Sequence, residues 1–440
     1  MSLVTRSDQL AAGLLSLGLK KGDRIGILGP NSLEWILTQY GTSRAGMILV
    51  SIVNINPQYK QDELEYALNK VDCKAIIVAE DFKGQSYYEM LFQMIPELAR
   101  AKPNDLHSHM GTLKFSDIIK AGTSKLRTDI LDMQSKLQFD EPINIQFTSG
   151  TTGFPKGATL THHNIVNNSR RLGYHEKETA ICIPVPLYHC FGMVLGSLMM
   201  VNHGSRCVFP SGSFDARKTL QSVSDEKCTS LYGVPTMFID MLNHPEFTSF
   251  DLTSLYTGIM AGYMDDELDK RVSTVGRAHP HTEAKVITEN GDVAPIGVPG
   301  ELCTRGYTTM LKYWNDSDKT RDVIKEDRWY HTGDIGEMDE EGFVEIVGRI
   351  KDMIIRGGEN VYPLEIEQLL YKHPKVKDVQ VVGVPDKRLG EEICAWLARF
   401  KVPRYVEFVE EFPLTVTGKV QKFKIRDKAA HNLGLDQIRH

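Results

Sequence analysis

Ten consecutive residues constrain this chain more than any others. Thr148, Ser149, Gly150, Thr151, Thr152, Gly153, Phe154, Pro155, Lys156 and Gly157 bring four hydroxyls, three glycines and a lysine together. Glycines let a backbone approach an anion closely, hydroxyls and amides donate to phosphate oxygens, and a lysine adds a point charge. The apolar run INIQF at 143–147 precedes them and reads as a strand. A phosphate loop at the end of a sheet strand is therefore expected. It is not a Walker A loop: the Gly-x4-Gly-Lys-Ser/Thr spacing is absent and the lysine follows Pro155.

Around this loop, strand-like and helix-like runs alternate. RIGIL at 24–28 reads as a buried strand; Gly29, Pro30, Asn31 and Ser32 then turn and cap a helix to about Ala45. Short apolar runs at 47–52, 75–78, 180–183, 205–209, 230–232 and 257–260 continue the series, and an apolar helix from Phe191 stops near Gly204. Such alternation implies an α/β fold with mostly parallel sheets and flanking helices. From about Ala284 short strands with Gly-rich turns predict a β-rich subdomain. After Arg349 a compact α/β segment follows, with a helix after Pro363 and a β-branched run at 376–384. The residues from Arg349 onward carry 17 Lys+Arg against 13 Asp+Glu, whereas those before it carry 34 against 44. That change of sign predicts a boundary between a large domain, 1–348, and a small C-terminal one, 349–440.

At 440 residues, 41% apolar and 25% charged, the chain can bury a core and is neither disordered nor fibrous. A formal charge of −6 gives no basic footprint for nucleic acid. The longest apolar run, 192–201, is far short of the roughly 20 residues of a membrane span. Seven cysteines without a CxxC pair exclude a zinc ribbon and a disulfide scaffold, and fit a reducing compartment. Ser7 is expected to cap the first helix, and no targeting peptide is visible.

The run QFTSGTTGFPKGATLTHHNIVNN at 146–168 resembles the adenylate-forming superfamily of acyl-CoA synthetases, luciferases and adenylation domains. PLYHC at 186–190, YGVPTMFIDML at 232–242 and MIIRGGENVYP at 353–363 point within it to the medium-chain acyl-CoA synthetases. The resemblance implies AMP-forming activation of a fatty acid to acyl-adenylate and then acyl-CoA, with ATP, Mg2+ and CoA. It implies that Asp334, in YHTGD, holds the ATP ribose and that Arg349 is a second ribose or phosphate contact. Lys156 and Lys419 would be catalytic, Lys419 reaching the acyl carboxylate and the α-phosphate. Lys351 would be the hinge of a mobile C-terminal domain, and Gly357, Gly358 and Glu359 a hairpin beside the CoA path. His189 would line or gate the acyl pocket. The implied compartment is the mitochondrial matrix, with the cytoplasm as the alternative. Read locally, Asp334 is equally an Asx turn between strands and Lys419 a surface lysine.

The chain departs from the superfamily in the middle. No Tyr-Gly-x-Thr-Glu segment, whose glutamate binds magnesium in relatives, occurs between the phosphate loop and Asp334. Asp265, Asp266, Glu267 and Asp269 stand where it should lie and are poor substitutes. A second gap falls at 394–403, where a strand runs directly into FKVP. Two readings therefore stand side by side: an active ligase, and a catalytically impaired product that at most binds nucleotide or acyl groups. A kinase does not fit without Walker A, and an amino-acid adenylation domain lacks an aspartate at PLYHC to pair with an α-amino group.

Overall fold

The computed structural model of the chain describes residues 2–51, 61–82, 84–95, 112–148, 155–172, 179–258, 266–357, 359–371, 379–394, 413 and 420–433. These form two compact units. One comprises Met1–Gly150, Phe154–Ile259 and Tyr307–Thr320; the other is built mainly from Met260–Gly306 and Arg321–His440.

The first unit starts with a helix, Leu3–Ser16. Its cap is Ser2, which accepts from Thr5 N at 3.2 Å, and not Ser7. Ser7 lies inside the helix and is buried, on the side that carries Leu10, Ala11 and Leu14 into a core with Leu37 and Ile130. Ser32 caps the next helix, Leu33–Arg44, by accepting from Trp35 N at 3.2 Å, as the sequence predicts.

A six-stranded sheet runs in the order Lys312–Tyr313, Lys156–Thr161, Pro142–Thr148, Ile48–Ser51, Arg24–Leu28, Ala75–Val78. The last four are parallel; the first two are antiparallel additions. A second sheet, all parallel, orders Thr257–Gly258, Ser230–Leu231, Ala180–Cys182 and Arg206–Val208. The α/β class read from the sequence is thus the class observed. Val50, Ile145 and Phe147 pack one face of the first sheet, and Ile27, Leu49 and Ile143 the other, as parallel strands covered on both sides require.

The second unit holds two antiparallel sheets. One orders Thr282–Ile287, Gly300–Gly306, Tyr330–Met338 and Val344–Arg349. The other orders Glu359–Val361, Ile354–Arg356, Gly390–Cys394 and Val382–Asp386, with the helix Pro363–Tyr371 beside it. All seven cysteines are free thiols.

Candidate nucleotide and acyl site

The phosphate segment is bracketed by two strands of the first sheet. Pro142–Thr148 and Lys156–Thr161 are antiparallel neighbours, and Thr148 opposite Lys156 is their last pair. Thr148 Oγ1 donates to Lys156 O at 3.4 Å. The loop therefore joins strand to strand, not strand to helix as in a doubly wound nucleotide site. Ser149, Gly150, Thr151, Thr152, Gly153 and Phe154 lie outside the described residues; Pro155 precedes the return strand, which Lys156 and Gly157 begin. Gly157 permits this close pairing: a Cβ there would stand 3.0 Å from Ile145 Cγ2, and Trp314 N donates to its carbonyl at 2.8 Å. Lys156 Nζ rests 5.1 Å from the centre of the Tyr313 ring. This cation–π seat, on a strand more than a hundred residues downstream, has no local sequence signal.

His189 ends the Pro186 turn at the head of an apolar helical run. It is exposed and caps that run: its Nδ1 accepts from Phe191 N at 3.1 Å, so the neutral ring carries its proton on Nε2. The run is one α-turn, Cys190–Gly192, then a π-helical stretch, Met193–Leu198, then an α-turn, Met199–His203. A π-stretch displaces carbonyls from the ordinary ladder, and π-turns are frequent at functional sites. Here long side chains meet the displaced groups: Tyr40 donates to Ser197 O at 2.7 Å, Tyr232 to Leu195 O at 3.1 Å and Gln39 to Met193 O at 3.4 Å. Burial pushes both phenols above their usual range, so both remain donors at neutral pH.

In the second unit, Asp334 is part of a bulge within the strand Tyr330–Met338, and not of a turn between strands. Cys303 pairs with His331 and Glu301 with Ile335, so Leu302 alone faces Thr332, Gly333 and Asp334. Gly333 supplies a φ of +74° that other residues avoid. Thr332 Oγ1 donates to Leu302 O at 2.7 Å and accepts from Asp334 N at 3.0 Å. Glu301 accepts from Gly333 N at 3.1 Å through Oε1 and from His331 Nδ1 at 2.8 Å through Oε2. Across the next strand Asp334 faces Arg349, whose Nε lies 2.7 Å from Oδ1.

Lys351 sits in the short 3-10 turn Ile350–Asp352 directly after Arg349. Beyond it the Arg356–Glu359 hairpin forms as the sequence predicts, with Gly357 at φ +62° donating to Leu389 O at 2.9 Å. Arg356 is bidentate on Glu392, at 2.5 and 3.1 Å, and Glu391 accepts from Ile355 N at 2.8 Å. Gly358 and Lys419 lie outside the described residues.

The described residues hold one cluster of three metal-type donors, Glu301, Cys303 and His331, within 4.8 Å of one another. It does not fit magnesium, which takes oxygen ligands. Glu301 and His331 are already bonded to each other, and burial, aided by Glu301, pushes the Cys303 thiol up to about 11. Of the four acidic candidates from the sequence, Asp266 accepts from Arg277 at 2.6 Å with its side chain buried, and Asp265 is outside the described residues.

The chain matches the AMP-binding enzyme family over residues 2–264 and 253–314, and the AMP-binding enzyme C-terminal domain over 365–399. It is 45% identical over 506 aligned positions to the mitochondrial medium-chain acyl-CoA ligase ACSF2 of Danio rerio, covering 97% of this chain and 83% of that protein. Among solved structures, ATP-bound MatB from Rhodopseudomonas palustris superposes with a TM-score of 0.79 at 25% identity, covering 97% of this chain and 92% of that one. The anthranilate CoA ligase AuaEII, in complex with anthranoyl-AMP, shares the fold with a TM-score of 0.82 at 24% identity, over 98% and 92% of the two chains. The chain belongs to the AMP-binding enzyme family. The alignment with the Danio rerio ligase is longer than the chain's 440 residues, so that ligase carries internal segments with no counterpart here. The two family matches overlap at 253–264, where the sequence lacks Tyr-Gly-x-Thr-Glu.

Proposed function

We propose that this protein is an AMP-forming medium-chain acyl-CoA ligase of the mitochondrial type. It joins ATP to a fatty carboxylate as acyl-adenylate and then passes the acyl group to the CoA thiol. The identity of 45% across 97% of the chain to a medium-chain acyl-CoA ligase carries this reading. The Asp334–Arg349 pair supports it: one carboxylate oxygen is bonded to Arg349, and on this reading the other accepts from the ribose diol.

A free carboxylate is a poor electrophile, and its adenylate has a good leaving group. In the first step the carboxylate attacks the α-phosphate of ATP in line and pyrophosphate leaves. Charge grows on the equatorial oxygens, so donors must be placed beforehand. Thr148, Ser149, Gly150, Thr151, Thr152 and Gly153, flanked by Phe154 and Pro155, cradle the phosphates. Lys156 and Lys419 stabilise the developing charge, Lys419 on the α-phosphate and carboxylate. Magnesium would accompany ATP as part of the substrate and neutralise the pyrophosphate charge. In the second step the CoA sulfur attacks the acyl carbon and AMP leaves. The region 349–440 turns about Lys351 between the steps, exchanging Lys419 for the Gly357–Gly358–Glu359 hairpin. His189 borders the acyl chain.

A second reading, an impaired enzyme that still binds ligands, draws on the break at 253–264 and on the two-residue strand Thr257–Gly258 that closes the second sheet there. ATP–pyrophosphate exchange with octanoate decides between them. Octanoate-dependent exchange that disappears in Lys156→Ala and Lys419→Ala supports the ligase. Absence of exchange, with ATP still bound, overturns it in favour of the second.

A further inference from the structure

We infer that Glu301 is a positioning residue for Asp334, and this rests on the reading that Asp334 takes the ribose. The bulge at Thr332, Gly333 and Asp334 removes three residues from regular pairing with one. It takes the N–H groups of Gly333 and Asp334 out of pairing with the Gly300–Gly306 strand, and a donor left unmet away from water is costly. Asp334 N is met by Thr332. Gly333 N is met by Glu301, a residue from the neighbouring strand. The glutamate is held at both oxygens, because Oε2 accepts from His331 on the near side of the bulge. A carboxylate can only accept, so it fixes the proton of His331 on Nδ1.

One side chain thus spans the residue before the bulge and the glycine at its crest. Neither oxygen is bonded to Asp334 itself. What Glu301 sets is the path of the backbone at Gly333, and so the direction in which the next carboxylate points. Its strand is placed by Gly300, where a Cβ would come within 2.2 Å of Ile287 O, so the two strands approach closely at this point. Asp334 is further aligned by Arg349 from the other side, so the residue is placed by two strands that are not paired with each other.

The test uses the full chain with Glu301→Ala, Glu301→Asp and Glu301→Gln. Steady-state kinetics are read for each substrate, together with backbone hydrogen exchange over 330–336. Glu301→Ala should raise the KM for ATP about tenfold or more, the effect of losing a charge-assisted hydrogen bond. Its kcat and its KM for octanoate should stay within about threefold. Glu301→Asp keeps the charge but is one methylene short, and should resemble Glu301→Ala. Glu301→Gln keeps an acceptor for Gly333 N and should recover most of the affinity. Exchange at Gly333 and Asp334 should accelerate in the Ala and Asp variants and not in Gln. Unchanged exchange in Glu301→Ala, or an ATP KM equal to wild type, overturns the inference. If the wild type fails to bind ATP, the ligase reading falls, and the exchange pattern still decides whether Glu301 holds the bulge. Should Glu301→Ala not fold, the Asp and Gln pair carries the same comparison.

Discussion

Arg349 Nε lies 2.7 Å from Asp334 Oδ1, and the two residues are direct partners across antiparallel strands. The pair is partly exposed, so its worth to folding is small, on the order of 1 kcal/mol or less. Its value is geometric. The guanidinium fixes one oxygen of a carboxylate whose residue the bulge takes out of pairing with the Gly300–Gly306 strand. Asp334→Ala is expected to lower kcat/KM for ATP by about tenfold to a hundredfold while moving the urea midpoint little. Arg349→Ala should act in the same direction more weakly. Equal loss with octanoate as the varied substrate would point to general misfolding instead.

Lys156 is held over the Tyr313 ring. On the proposed role of its charge in the transition state, removing the lysine should abolish pyrophosphate exchange. Tyr313→Leu keeps the apolar bulk and removes the quadrupole, so exchange should slow about twofold to fivefold, matching roughly 0.5–1 kcal/mol. A Tyr313→Leu variant as inactive as Lys156→Ala would show that the ring does more than seat the ammonium.

The Arg356–Glu392 pair ties the glycine hairpin to the strand behind it. Glu392 is nearly buried, while Arg356 is about a third exposed. Arg356→Ala should destabilise the chain by about 1–3 kcal/mol, less than a fully buried pair because water reaches the arginine side. In single-turnover experiments adenylate formation should persist and transfer to CoA should slow. Loss of both steps in parallel would refute the assignment of this hairpin to the thiol step.

His162 opens the helix that follows the phosphate hairpin. Burial, with help from Lys21 and against Glu141, holds its pKa below the ordinary 6.5. The folded state thus binds this proton less readily than the unfolded state does. Stability from this group is complete above the unfolded value and is lost as pH falls through about 6.5 toward the folded value. The urea midpoint should fall between pH 7.5 and 5, with a slope no steeper than about 1.4 kcal/mol per pH unit from one proton. His162→Gln should flatten that part of the profile.

The sequence made some elements plain and hid others for physical reasons. RIGIL, AIIV and the Ser32 cap were legible because burial pattern and capping are local properties. The hairpin at Gly357 was legible from its glycines. The bulge at Gly333 was not, since it depends on register with Gly300–Gly306, and a lone Thr-Gly-Asp reads equally as a turn. Glu301 and Tyr313 were missed for the same reason: each acts on residues that only sheet pairing brings near. Ser7 was misread as a cap because it begins a polar-then-apolar run, whereas the helix had already started one turn earlier at Ser2.

The π-helical stretch Met193–Leu198 has a consequence for how this protein can vary. Such a stretch is an α-helix that has accepted one residue too many. Taking one residue out returns the ordinary winding within the stretch, because the wide turn takes up the extra residue locally and the helix beyond it keeps its direction. Since Tyr40, Tyr232 and Gln39 already hold the surplus carbonyls, the longer form is tolerated. Descendants of this chain thus have two discrete windings to choose between just beyond His189. One codon gained or lost there re-aims only the side chains of Met193–Leu198 and leaves the rest of the domain untouched.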